Sequence, residues 1–252
     1  DINISANVAR DLHVADMDGD GDLDIVSASS GDNTIAWYEN DGAANPSWTA
    51  SDISYTALGP RGIFLADIDS DGDLDIISAS SGDNTIAWYE NDGAANPSWT
   101  AADISTTADG ARNVFVADID SDGDLDIVSA SHDDDTIAWY ENDGNSDPSF
   151  TKNVISTSAD GARGVHIADI DSDGDLDIVS ASRIDNKIAW YENDGAANPS
   201  WSTTTIATSA AGARDIHIAD MDNDGDLDIV SASSGDDTIA WYENDGAANP
   251  TW

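Results

Sequence analysis

A period of 51 residues, four strand-like segments within each period and a strand whose two faces are both apolar predict an all-β fold. The architecture they predict is a five-bladed β-propeller of four-stranded antiparallel blades. The period is read from three markers. Asp16, Asp67, Asp118, Asp169 and Asp220 follow one another at steps of 51 (67 − 16 = 51). The run "IAWYENDG" begins at Ile35, Ile86, Ile137, Ile188 and Ile239, with the same step. A lone arginine recurs likewise at Arg10, Arg61, Arg112, Arg163 and Arg214.

In the first unit the expected strands are Leu12–Ala15, Leu23–Ser29, Asn33–Glu39 and Trp48–Ser54. Segments rich in Gly, Asn, Asp and Pro separate them: "DGDG", "SGD" and "NDGAANPS". The alternation has a period of two, which argues against a helical repeat. In the third strand Ile35 and Trp37 lie on one side, Ala36 and Tyr38 on the other. Such a strand needs a sheet stacked on each face, as between the blades of a propeller. Residues 1–10 align with 52–61, so the chain is expected to open on the fourth strand of a blade. The expected domain is then 1–252 as one ring, its last blade formed by 211–252 plus 1–10, which removes the exposed sheet edge.

The formal charge of −43 on 252 residues is extreme. It repels DNA, RNA and anionic lipid, and argues against a nucleic-acid partner. Direct membrane insertion is not expected either, because no apolar run approaches the roughly 20 residues of a span. There is no cysteine, hence no disulfide, thiolate site or cysteine nucleophile. The acids are interleaved with Ile, Val, Leu, Trp and Tyr throughout, so they do not form a disordered tail. The sequence begins at Asp1 and reads as a mature or excised domain, part of a larger protein.

Alternating carboxylates crowd together when a cation sits among them. "DMDGDGDLD" has the pattern a hard cation needs: inward carboxylates at positions one, three and five, glycine at six, and a carbonyl at seven. With its four copies this stretch resembles the calcium-binding repeat of FG-GAP and VCBS-type β-propellers, the group that includes the integrin head and many bacterial surface proteins. The resemblance covers all five units. No Phe-Gly pair stands at the expected place, which favours the VCBS-type subgroup, and family members commonly have more than five blades. The loop departs from an EF-hand, since Ser27 stands at position twelve and strands rather than helices flank it.

Carried over residue by residue, the resemblance implies calcium ligands at Asp16, Asp18, Asp20, Asp22 (backbone) and Asp24. The second set is Asp67, Asp69, Asp71, Asp73 and Asp75. The third is Asp118, Asp120, Asp122, Asp124 and Asp126. The fourth is Asp169, Asp171, Asp173, Asp175 and Asp177. The fifth is Asp220, Asp222, Asp224, Asp226 and Asp228. About five calcium ions are implied, one per blade. Magnesium fits less well because it keeps more of its waters.

Hairpin alternation places the aspartate and "NDGAANPS" loops on one face of the ring, and the "SGDN" turns and the arginines on the other. The arginines would ring the channel mouth just before the innermost strands. There they could take an anionic or sugar ligand. The bland expectation is that each pairs with a nearby acid, such as Asp32 or Glu39. Trp37 and its copies are expected to fill gaps between blades. Trp48, Trp99 and Trp201 follow the proline loop and could be core or a platform for sugar stacking. His13, His166 and His217 share a column with Phe64 and Phe115, which reads as aromatic packing, and His132 reads as a surface residue.

The functional expectation is a non-enzymatic, calcium-stabilised module of a secreted or cell-surface, bacterial protein. It would act as a scaffold or in adhesion, with a glycan or protein on a cell surface as partner. The alternatives are a lectin with sites at blade interfaces and an accessory domain of a larger secreted enzyme.

Overall fold

The computed structural model describes residue 2 and residues 5–252. It is all-β, in five sheets that follow the period. Blade 1 holds β1 (Ala9–Ala15), β2 (Asp24–Ser29), β3 (Thr34–Asn40) and β4 (Trp48–Ser54). Blade 2 holds β5 (Pro60–Ala66), β6 (Asp75–Ser80), β7 (Thr85–Asn91) and β8 (Trp99–Ser105). Blade 3 holds β9 (Ala111–Ala117), β10 (Asp126–Ser131), β11 (Thr136–Asn142) and β12 (Phe150–Ser156). Blade 4 holds β13 (Ala162–Ala168), β14 (Asp177–Ser182), β15 (Lys187–Asn193) and β16 (Trp201–Ala207). Blade 5 holds β17 (Ala213–Ala219), β18 (Asp228–Ser233) and β19 (Thr238–Tyr242). Each sheet is an antiparallel meander in chain order.

Among the described residues the last sheet has three strands. Its expected fourth strand, from residues 1–10, falls in part on residues 1, 3 and 4, outside the described residues. The first strand of each blade starts earlier than expected, at Ala9 rather than Leu12, and so takes in the arginine. The cause is a β-bulge. Ala9 pairs with Ser29 and Asp11 with Ala28, which leaves Arg10 without an opposite residue. The same skip falls at Arg61, Arg112, Arg163 and Arg214.

The core lies between blades. Val26, Ala28 and Trp37 of blade 1 pack on Ile63, Ile76 and Tyr89 of blade 2, and the next three junctions repeat this arrangement. Trp37, Trp88, Trp139 and Trp190 are buried, as expected of gap-fillers. Trp241 is 49% exposed and Ile239 74%, because among the described residues no blade packs on that face. At the other end Leu12 is 61% exposed, whereas its equivalents Ile63, Val114 and Val165 are buried.

The first strands of consecutive blades run side by side, and their spacing is set by one column. Asp11 accepts the Ile63 N–H of the next blade at 3.0 Å, and Asn113 accepts that of Val165 at 3.0 Å. Between them stands Gly62, where a Cβ would lie 2.9 Å from Arg112 O and from Asn113 Cα. Gly164 repeats this against Arg214 O at 3.1 Å. Bridging and close junctions therefore alternate. A Gly62→Ala substitution forces two backbones apart and should destabilise the fold by about 1–3 kcal/mol. Urea unfolding measures this, and an unchanged midpoint would refute the close-approach account.

Candidate metal centres

Each aspartate loop joins the first strand of its blade to the second. Its sixth residue is a glycine at positive φ, +95° at Gly21 and about +102° to +103° in the other four. That conformation turns the chain sharply enough for positions one, three and five to converge. The loops are partly organised by their own carboxylates. Asp16 accepts the N–H of Asp20 (3.1 Å) and of Gly21 (2.9 Å), and Asp20 accepts that of Asp22 (2.8 Å).

Three carboxylate oxygens come within 4.8 Å of one another in every loop. The groups are Asp67–Asp69–Asp71, Asp118–Asp120–Asp122, Asp169–Asp171–Asp173 and Asp220–Asp222–Asp224. In the first loop the group is Asp16, Asp18 and Asp24. These triplets could bind metal ions. The donors are all hard oxygens, which suits calcium rather than a soft metal. Two observations test the fit. Asp120 and Asp171 each keep a buried oxygen that no hydrogen-bond donor reaches. Burial and the neighbouring carboxylates also push Asp69, Asp120 and Asp171 up from the usual carboxylate range. A cation among them would remove both penalties.

Position nine does more than the sequence suggested. Asp24 is buried. Its Oδ1 accepts the Asn40 N–H at 2.8 Å, and its Oδ2 accepts Met17 N–H at 3.2 Å and Trp37 Nε1–H at 3.0 Å. The residue thus anchors the loop to the third strand, and only in the first blade does it join the oxygen triplet. Its copies Asp75, Asp126, Asp177 and Asp228 accept the same pair of backbone N–H groups.

Position seven supplies a further contact. The Asp22 carboxylate abuts Gly42 of the "NDG" loop, and the other four blades repeat this. The aspartate and proline loops thus share one face. The sequence reading missed the asparagine of "IAWYEN". Asn91 donates from Nδ2 to Leu74 O (3.1 Å) and to Met17 O of the preceding blade (2.9 Å). Asn142, Asn193 and Asn244 bridge to Ile68 O, Ile119 O and Ile170 O in the same way. Their invariance among the five copies was the available signal.

On the opposite face the expected pairing of the arginines with acids is overturned. Among the described residues the ion pairs are His132–Asp133 and Lys187–Asp185, each at 2.7 Å, and neither involves an arginine. Asp32, one expected partner, accepts the Asn7 N–H instead. His132 is not the surface residue expected, since its side chain is only 13% exposed and paired with Asp133. His13, Phe64, Phe115, His166 and His217 form a row with centroids 4.7–5.4 Å apart. Trp48, Trp99 and Trp201 are half-buried, and Trp99 and Trp201 pack against the interblade cores.

Burial raises the carboxyls of Asp75, Asp126 and Asp177 to about 7. In the metal-stripped protein they hold protons that the unfolded chain has released. Their contribution is fully present below the ordinary carboxylate pKa of 3.8 and is lost as pH rises through about 7. The melting temperature of stripped protein should therefore fall by several degrees between pH 4.5 and 7.5. Saturating calcium should flatten this slope, and a stripped protein that grows more stable over the same range would refute it.

A family model described as an FG-GAP-like repeat matches residues 16–78, 67–129, 121–180 and 169–231. No curated protein matches the sequence significantly. Among solved structures, a protein from Lactobacillus plantarum superposes with a TM-score of 0.68 at 17% identity, over 94% of this chain and 67% of that one. The Vibrio cholerae biofilm matrix protein Bap1 gives 0.58 at 18%, over 97% of this chain and 38% of its own. A Bacillus licheniformis rhamnogalacturonan lyase gives 0.58 at 12%, over 97% and 50%. The chain thus spans half or less of the last two proteins, and at these identities the likeness concerns the fold. The family matches together run from the first aspartate loop into the fifth blade, and the chain belongs to the FG-GAP-like repeat family.

Proposed function

We propose that the chain is a calcium-stapled, non-enzymatic extracellular module, closed into a five-bladed ring, with a scaffold or adhesion role. The observation that carries this reading is repetition: five like oxygen clusters, each seated in its own turn. Five equivalent staples explain that pattern better than five equivalent active sites, since a catalytic metal needs an open position beside an acid or base. Three of the four histidines are taken up in the aromatic row. Likeness to a biofilm matrix protein is in keeping with an extracellular scaffold.

Ring closure is supported by two matching half-interfaces. Among the described residues Asn40 bonds Leu23 O without the bridge to another blade that its copies make, while Met221, the equivalent of Met17, is 51% exposed. Ile239 and Trp241 on blade 5, and Leu12 and Val14 on blade 1, are the exposed copies of residues that pack together elsewhere.

A second reading, a lectin, is favoured by one feature. A cavity of about 180 Å³ lies beside Trp201, lined by Glu192, Asn193 and Ser200 among others. A glycan array with and without calcium separates the two. Calcium-dependent capture of a defined sugar supports the lectin, and none supports the scaffold.

Calorimetric titration should find about five calcium sites, and Asp120→Asn should remove one of them. Excess EGTA should lower the melting temperature by more than ~10 °C. An unchanged melting curve would end the calcium proposal. If the ring closes, Trp241→Ala should cost about 3–5 kcal/mol, the same as expected for Trp139→Ala. An effect within about 0.5 kcal/mol would mean that this face is free.

A further inference from the structure

The face opposite the aspartate loops carries the strongest unassigned feature. Arg10, Arg61, Arg112, Arg163 and Arg214 line one cavity of about 380 Å³. The chain has eight lysines and arginines against 51 acids, yet five of those eight cations meet here. We propose that this cavity is a binding site for a small oxyanion, sulfate or carboxylate, free or carried on a sugar. The proposal gives the binding module above a ligand class. It rests on that reading only in taking the chain as a binder, and not on calcium.

Four observations carry it. Each arginine is the extra residue of a β-bulge, a device that re-aims one side chain out of the regular alternation. Five bulges at one register direct five guanidiniums to one place. Next, two of them are held by neutral partners: Arg10 Nε donates to Ser30 Oγ at 2.9 Å and Arg61 Nε to Ser81 Oγ at 2.7 Å. Their charge is oriented but not neutralised. Arg112 Nε is buried and has no partner at all.

Third, the carboxylates at the cavity are engaged elsewhere. Asp11 accepts the N–H groups of Leu12 and Ile63, and Asp215 accepts that of Ile216. Fourth, the cations disfavour one another. Burial and the neighbouring arginines hold Arg61 and Arg163 below the usual range, Arg163 at about 10. Burial does the same at Arg112, where Asp133 opposes the effect without forming an ion pair.

A like-charge cluster of this kind costs stability, in a protein with acids to spare. A ligand that supplies the missing negative charge offsets that cost. Guanidinium forks match the planar or tetrahedral oxygens of carboxylate and sulfate, and can bind them bidentately. The volume, at the small end for ligand pockets, suits a monosaccharide-sized anion rather than a polymer lying flat.

The test is calorimetry on the calcium-loaded full chain with inorganic sulfate, glucuronate and neutral glucose as probes. Sulfate, glucuronate or both should bind in the millimolar range or tighter, and the arm that binds identifies the anion's source. Glucose should not bind. Arg112→Gln and Arg163→Gln should each weaken anion binding by at least ~10-fold. Lys152→Gln, on β12, should leave it unchanged. In anion-free buffer Arg163→Gln should raise the melting temperature by about 2 °C, whereas a merely structural arginine would lower it on removal. No binding of either anion at 10 mM of probe, equal binding of glucose, or equal weakening by Lys152→Gln would overturn the proposal. The EGTA-dependent melting shift is read on the same samples, so a failed anion site is distinguished from a failed calcium module.

Discussion

The structure depends on one buried carboxylate per blade. Asp24 and its copies gather an N–H from the loop, one from the end of the third strand and, in the first blade, the indole N–H of Trp37. A buried acid costs free energy unless donors surround it, and here the donors are the elements that must be held together. The loop, the hairpin and the tryptophan that fills the next junction are therefore tied to one residue. The asparagine beside it carries the connection across the junction, since Asn91 reaches Met17 O in the loop of the preceding blade. Aspartate loop, blade core and blade junction form one connected unit, which suits a fold whose core is distributed over junctions.

Much of this was legible in the sequence. The period, the turns and the alternation around Ile35 and Trp37 define the blade, and the spacing of Asp16, Asp18 and Asp20 about Gly21 defines the loop. What was hidden has physical reasons. Asp24 continues the every-second-residue rhythm of the loop carboxylates, so only its burial marks it as an anchor. The Asn91–Met17 bond spans 74 residues, and no local pattern encodes it. The bulges were hidden because a skipped pairing leaves no mark in composition. They moved the start of the first strand by three residues and carried the arginines into the sheet. His132 looked exposed because turns are usually wet, but its side chain is mostly buried while its partner Asp133 stays in solvent.

The two faces manage charge in opposite ways. One gathers carboxylates that repel one another, the other guanidiniums that do the same, with the depth of the sheets between them. Neither set neutralises the other, although the chain holds both. Blade topology enforces this separation, since hairpin turns alternate ends and each motif keeps its place in the repeat.

Near-identical repeats create a problem of register, because any unit could in principle stand in for its neighbour. The column Asp11, Gly62, Asn113, Gly164, Asp215 answers it with parity. Asp11 and Asn113 cap the next strand's N–H, Asp215 caps that of Ile216 in its own strand, and Gly62 and Gly164 carry no side chain, so that two backbones can touch. Along the row from blade 1 to blade 5, exchanging blades 2 and 3 would set two bulky residues and two glycines side by side, losing the space at one junction and the cap at the other. The inner strands thus act as a checksum on the order of blades that the outer strands, almost alike in every copy, cannot supply.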